Sequence, residues 1–207
     1  MNLAFAEESG GFVGFGIGGG GTQYNVELTN IDGTEGGGKE NLGGINYGFV
    51  AGYKQFFTPY LGLRYYVNLD LHHNLKDFTG TSYRPDITLI NYGANVDFLG
   101  NFVSSESMDF GGFVGVGIGA NSITGKFIKD NVKVYERDGW KFTDTGFDVW
   151  LNVGLRANIA TNHGLEVVAK VPFLPVKMLD FKITAGGSYK FTFKQVYSIM
   201  ARYALSF

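Results

Sequence analysis

Phe147-Asp148-Val149-Trp150-Leu151-Asn152-Val153-Gly154-Leu155-Arg156-Ala157-Asn158-Ile159 alternates without a break. Phe147, Val149, Leu151, Val153, Leu155, Ala157 and Ile159 form one series, and Asp148, Trp150, Asn152, Gly154, Arg156 and Asn158 the other. A period of two sustained over this length is the side-chain repeat of a strand, since an amphipathic helix repeats every ~3.6 residues. A strand of a soluble sandwich buries its bulky face and shows Lys, Glu and Thr to water. Here the second face is glycine, asparagine, isolated charge and one tryptophan. Such residues suit a cramped interior, and a continuous apolar band suits lipid. The strand is apolar outside and polar inside.

The same alternation recurs seven more times. Residues 11–18 set Val13, Phe15 and Ile17 against Gly14, Gly16 and Gly18, and residues 44–55 set Ile45, Tyr47, Phe49, Ala51 and Tyr53 against Asn46, Gly48, Val50, Gly52 and Lys54. Further stretches at 61–71, 90–98, 110–121, 164–173 and 197–207 bring the total to eight strands. An open sheet edge in hydrocarbon leaves backbone groups unpaired at several kcal/mol each, so the strands must close. The expectation is an all-β, closed antiparallel up-and-down transmembrane barrel. Connections at 56–60, 99–109 and 160–163 are shorter, and those at 19–43, 72–89, 122–145 and 174–196 longer. That order predicts short periplasmic turns, four long external loops and both termini in the periplasm. The third loop alternates charge through Lys126, Lys129, Asp130, Lys133, Glu136, Arg137, Asp138 and Lys141. In the fourth, Phe181-x-Ile183, Gly186-Gly187 and Tyr189-x-Phe191-x-Phe193 read as a hairpin. Inserted into the membrane, that hairpin would make ten strands.

Composition agrees. The 207 residues fit one domain. They include 32 glycines, where average usage gives about 14. Charged residues are 17%, against about 25% in a soluble domain. A net charge of −2 offers no basic footprint for nucleic acid. Zero cysteine excludes disulfides, thiolate metal sites and cysteine nucleophiles. No segment reaches the ~18 apolar residues of a membrane helix, and nothing implies a cofactor. Ala4-Phe5-Ala6 fits the small-x-small end of a secretory signal peptide. Residues 1–6 are therefore expected to be the remnant of an export signal, and 7–207 one barrel domain.

Ala6-Glu7-Glu8-Ser9-Gly10-Gly11-Phe12-Val13 and the glycine-rich strand after it resemble the start of Helicobacter-type outer-membrane proteins, the Hop and related families. Tyr197-Ser198-Ile199-Met200-Ala201-Arg202-Tyr203-Ala204-Leu205-Ser206-Phe207 resembles their closing strand and the general barrel-assembly signal. That signal is a terminal Phe207 preceded at alternate positions by Leu205, Tyr203, Ala201, Ile199 and Tyr197. The resemblance implies a bacterial outer-membrane location, with lipid and the barrel-assembly machinery as partners. Lys177, Lys182, Lys190 and Lys194 near the rim of the fourth loop read either as contacts to lipopolysaccharide phosphates or as solvated charge. Large adhesins of that family carry a long external domain without counterpart here, so adhesion does not carry over.

Parity assigns Lys54, Arg64, Asp70, Asp97, Asp148, Arg156, Glu166, Lys170 and Arg202 to the lumen. Counting from the short turns places Lys54, Arg64, Asp97, Arg156, Glu166 and Arg202 in the periplasmic half. Enclosed charges must be paired or wet, so they form either a plugging network or a narrow ion path. Eight strands leave an interior that side chains just fill, which disfavours a wide pore. Phe56, Phe57, Tyr60, Phe98, Phe102, Phe110, Phe173, Tyr203 and Phe207 are expected in the periplasmic aromatic girdle. His72 and His73, near Asp70 and Ser82, would be the place for a lipid hydrolase or acyltransferase. They have no nucleophile at a diagnostic spacing and no third metal ligand, and read as solvated loop residues; His163 falls in a periplasmic turn. Gly14-x-Gly16-x-Gly18 is strand alternation and not a phosphate loop. The sequence points to a surface barrel, structural or contacting a host or other external partner through its loops. A narrow solute channel is the first alternative, an outer-leaflet lipid enzyme the second.

Overall fold

The computed structural model describes residues 9–75, 87–105, 108–126, 128–129, 132, 142–159, 162–182 and 186–207. Its strands are β1 (Gly10–Thr29), β2 (Glu35–Phe56), β3 (Leu61–Asn74), β4 (Thr88–Ser104), β5 (Met108–Thr124), β6 (Thr145–Ile159), β7 (His163–Pro172), β8 (Val176–Lys182) and β9 (Ser188–Ser206). All pairings are antiparallel in the order β1-β2-β3-β4-β5-β6-β7-β9, and β1 pairs with β9 to close the ring. The barrel wall therefore has eight strands. Val13 faces Leu205 and Ile17 faces Ala201 across the seam, which removes the last open edge.

The ninth strand adds no span. β8 pairs with Ser188–Phe193 of β9, along the edge that β7 occupies lower down. It continues β7 after an irregular break at residues 173–175, flanked by Pro172 and Pro175, which cannot donate to a ladder. The predicted hairpin exists outside the barrel wall, and the ten-strand alternative does not.

The parity of every spanning strand is as the alternation requires. Val13, Phe15, Ile17, Phe49, Val67, Val96, Ile118, Leu155, Val167 and Ile199 are exposed to the surroundings, while their sequence neighbours are enclosed. Glycine supplies the room. A Cβ at Gly115 would lie 2.6 Å from Asp97 Cα, so only bare backbone lets that carboxylate turn inward.

Two expectations change. Residues 19–43 are not a loop: β1 and β2 run on as a hairpin, Thr29 facing Glu35, and turn at residues 30–34, where Gly33 has a φ of 82°. The last strand likewise starts at Ser188, nine residues before Tyr197. As a result β2, β1, β9 and β8 project beyond the barrel as a four-stranded sheet. The interior also has apolar packing where none was expected. Ile87, Leu89, Ile123, Ile128, Val176, Met178 and Phe193 form a buried cluster at the end where this sheet emerges. Phe12, Val50, Tyr66 and Ala204, and Leu99, Phe113 and Val168, form two more toward the short-turn end.

Candidate functional site

Cross-strand register builds the lumen at the short-turn end. Lys54, Arg64 and Asp97 are successive partners across β2, β3 and β4, and Arg156, Glu166 and Arg202 across β6, β7 and β9. Arg64–Asp97, Arg156–Glu166 and Glu166–Arg202 thus set opposite charges at one height, the arrangement that favours cross-strand pairs, whereas Lys54 and Arg64 set two like charges side by side. Arg64 donates to Asp97 from Nη2 at 2.7 Å and Nε at 3.2 Å, and from Nη1 to Glu166. Glu166 also accepts from Arg202 at 3.3 Å. The Arg64 guanidinium lies over the rings of Phe113 (4.6 Å), Tyr66 (5.1 Å) and Phe12 (5.5 Å), so its flat faces meet aromatic carbon. Arg156 donates to Asn101 at 3.0 Å and lies over Phe56.

A second layer lies farther from the short turns. Lys170 crosses the lumen to Asp70, donates to Asn91 at 2.8 Å and sits 4.7 Å above the Trp150 ring. Trp150 is fully enclosed, with its indole N–H donating to Asn95 at 2.6 Å. Asparagines join the strands around it. Asn68 donates to Asn91 (2.8 Å), Asn91 to Asn121 (2.9 Å), Asn95 to Asn68 (2.9 Å) and Asn152 to Asn95 (2.9 Å). An amide has two donors and an acceptor, so it joins walls without adding charge to a dry interior. Parity had placed these asparagines inward; their linkage across strands was the unread part.

Asp148 makes no ion pair among the described residues. It accepts Asn121 at 2.5 Å and the backbone N–H groups of Val149 (2.7 Å), Phe173 (3.2 Å) and Leu174 (2.9 Å). The carboxylate ties down the irregular break between β7 and β8.

Little space remains in these two layers among the described residues. The volume among Phe12, Lys54, Arg64, Arg156, Glu166 and Ser206 is about 20 Å³, enough for about one water. That among Asn46, Asp70, His72, Lys170, Gln195 and Ser198 is about 0 Å³. The apolar cluster around Met178 and Phe193 lies over the far end.

Other sequence candidates fall in different places. His72 is not a solvated loop residue: it points inward from β3, is buried, and bonds to Asn46 and, at 2.8 Å, to Asn74. His73 faces outward to Thr88 Oγ1 at 2.8 Å, and His163 meets the Tyr203 hydroxyl at 2.6 Å. Ser82 lies outside the described residues, as do residues 1–6. No group of three metal-ligating side chains occurs among the described residues. Phe57, Tyr60, Phe98, Phe102 and Phe110 are exposed near the short turns, as are Tyr203 and Phe207 at the chain's end. Phe56 instead turns inward onto Leu99, Phe113 and Val168, because its parity matches Lys54. Phe173 follows β7 and sits at the opposite rim. Near that rim Tyr47, Tyr92, Phe147 and Tyr197 are also exposed, an aromatic belt that their parity alone did not mark. Tyr197, Ile199, Ala201, Tyr203, Leu205 and Phe207 occupy the outer face of β9.

The outer-membrane protein profile of Helicobacter matches residues 48–207, well over half of the chain and including every lumen charge described above. The chain belongs to the Helicobacter outer membrane protein family. No curated protein sequence matches it. Among solved structures it is similar to Neisserial surface protein A, with 14% identity and a TM-score of 0.50 over 97% of this chain and 100% of that one. It is also similar to the outer membrane protein OprG of Pseudomonas aeruginosa, with 12% identity and a TM-score of 0.52 over 98% of each chain. At these identities the likeness speaks to the fold alone. As a member of this family the chain is a Gram-negative outer-membrane β-barrel.

Proposed function

We propose that this outer-membrane barrel is a sealed surface protein rather than a channel. The filled lumen supports this reading most directly: Trp150, Lys170, Asp70 and the asparagines occupy the waist of a barrel whose charged layer leaves about 20 Å³. Its rigid interior holds the four-stranded sheet formed by β2, β1, β9 and β8 as the surface that meets external partners. The start of β1 and the end of β9 lie at the short-turn end, where Phe207 N–H donates to Gly11 and Ser206 N–H to Asn162. Short turns mark the periplasmic side of such barrels, which puts the sheet outside the cell. His72 faces away from lipid and bonds to amides, an arrangement with no place for an acyl-chain substrate.

Conductance tests the reading. Purified protein in planar bilayers is expected to give no reproducible unitary steps, and large, repeatable steps would overturn it in favour of a pore. Orientation is tested separately, since the chain has no cysteine of its own. Asp32→Cys, in the β1–β2 turn, is expected to react with a membrane-impermeant maleimide on intact cells.

A further inference from the structure

The projecting sheet has two unlike faces, and its lysines are confined to one. On the inward side stand Tyr24, Val26 and Leu28 of β1, Tyr189, Phe191 and Phe193 of β9, and Val176, Leu179 and Phe181 of β8, by register. The other side continues the lipid-facing side of the barrel wall. It carries Lys39, Lys177, Lys182, Lys190 and Lys194, with Glu27, Glu35 and Asp180. Lys190 is committed to Glu27 at 3.1 Å and faces Asp180 across the ladder. Lys39, Lys177, Lys182 and Lys194 have no carboxylate within salt-bridge distance among the described residues.

Among the described residues, strands β3 to β7 lack such a face. Every charged residue on β3 to β7, from Arg64 to Lys170, turns into the lumen. The lateral positive charge on the strands therefore belongs to one flank. It begins just beyond Tyr197, an exposed tyrosine of the kind that sits at the level of headgroups. Ser188 faces Lys182 on the same side and adds a hydroxyl donor.

We propose that this flank is a docking surface for the phosphate groups of the surrounding outer-leaflet glycolipid. The inference rests on the outward orientation proposed above. A lysine ammonium binds phosphate as a point charge with three donors. Several spaced along a sheet fit a laterally packed layer of phosphorylated sugars better than one small ion. Anchoring this flank would hold the sheet at a fixed tilt and leave its far side free for partners.

The test is lipid retention by the full chain in detergent, read by native mass spectrometry with diphosphoryl lipid A. Lysines at an anionic surface contribute about fivefold each. Lys177→Gln/Lys182→Gln/Lys194→Gln is therefore expected to weaken retention by about tenfold or more. Monophosphoryl lipid A is expected to bind the unaltered protein more weakly than the diphosphoryl form. These lysines are solvent-accessible, and a folded-barrel gel shift identifies any variant that fails to assemble. Lys126→Gln/Lys129→Gln removes exposed charge outside the sheet and is expected to leave retention unchanged. Three results would overturn the proposal: undiminished retention in the triple variant, an equal loss in the Lys126/Lys129 control, or complete displacement of lipid A by millimolar inorganic phosphate. Failure of maleimide labelling at Asp32→Cys would instead overturn the orientation, so the two readings fail separately.

Discussion

Glu166→Gln removes one negative charge from the layer near the short turns while keeping the side chain's shape. Glu166 accepts from Arg64 and from Arg202, the latter at 3.3 Å, and all three side chains are 3–4% exposed. After the substitution Arg64 keeps Asp97 through two donors at 2.7 and 3.2 Å. Arg202 keeps only the Tyr66 ring, 5.8 Å away, among its described contacts. Breaking a buried pair by removing one partner costs about 3–5 kcal/mol because a charge is left buried without its counter-ion. A glutamine oxygen still accepts one bond and Arg64 remains paired, so the lower end, about 3 kcal/mol, is expected. Urea unfolding in lipid vesicles, followed by tryptophan fluorescence and by gel mobility, measures it. In Glu166→Gln/Arg202→Met the cation stranded by the single substitution is removed, and at least about half of the loss should return, as when whole buried pairs are replaced. A loss below about 1 kcal/mol, the cost of a surface pair, would refute the argument. It would mean that water reaches the network and screens it, and the sealed-lumen reading would weaken with it.

Three further outcomes follow from single positions. A Cβ at Gly18 would lie 2.7 Å from Met200 Cα across the closing seam, so Gly18→Ala should cost at least the ~1–3 kcal/mol of overpacking. Gly38→Ala, with nothing within 4 Å, should not lower the unfolding midpoint. Equal behaviour of the two would refute the steric account. In the projecting sheet, hydrogen bonds from Lys190 and then Asn25 hold the Glu27 carboxyl below its ordinary range. Its stabilising contribution is therefore present above the unfolded value and is lost as pH falls through the depressed folded one. Carbon-13 titration should show a low midpoint for Glu27 that rises in Lys190→Gln, and an unmoved midpoint would count against the contact. His72→Ala is expected to leave the lipid A and phospholipid species of cells unchanged by mass spectrometry, whereas a shifted acyl pattern would revive the enzyme reading.

The spanning part of the fold was legible because lipid and a crowded lumen impose opposite demands on alternate residues. Val13, Phe15 and Ile17 against Gly14, Gly16 and Gly18 state that contrast directly, and the structure places them as it requires. Facing direction was legible for the charges too. Partners were not, because Arg64 and Glu166 are separated by 102 residues, and only barrel closure sets their distance. His72 was misplaced for a related reason. A histidine next to another at a strand's end looks like loop, yet its even parity matches Asp70 and Asn68, and the strand simply continues.

The end of β1 was misread because the polarity of the alternation reverses while its period does not. Up to Gly21 on β1, odd positions are apolar or glycine and face lipid, and even ones face the lumen. Beyond Thr22 the odd positions become Gln23, Asn25, Glu27 and Thr29, and the even ones Tyr24, Val26 and Leu28. On β9 the register shifts between Gly21 and Thr22 of its partner, leaving Val196 unpaired; such a bulge moves every later side chain to the other face. That shift lets Phe193, Phe191 and Tyr189 join Tyr24, Val26 and Leu28 on the inner side, and lets Lys194 and Lys190 face out. The surroundings change from hydrocarbon to water at this height, so the apolar face must move from outside to inside. A rule that equates apolar with outward ends the strand at the point where the medium changes. Allowing one reversal would have carried β1 through to Thr29, and allowing one bulge, at Val196, would have carried β9 back to Ser188. Lys177, Lys182, Lys190 and Lys194 were legible as basic residues near the rim of the fourth loop; that they share one face was not, because the bulge on β9 sets it.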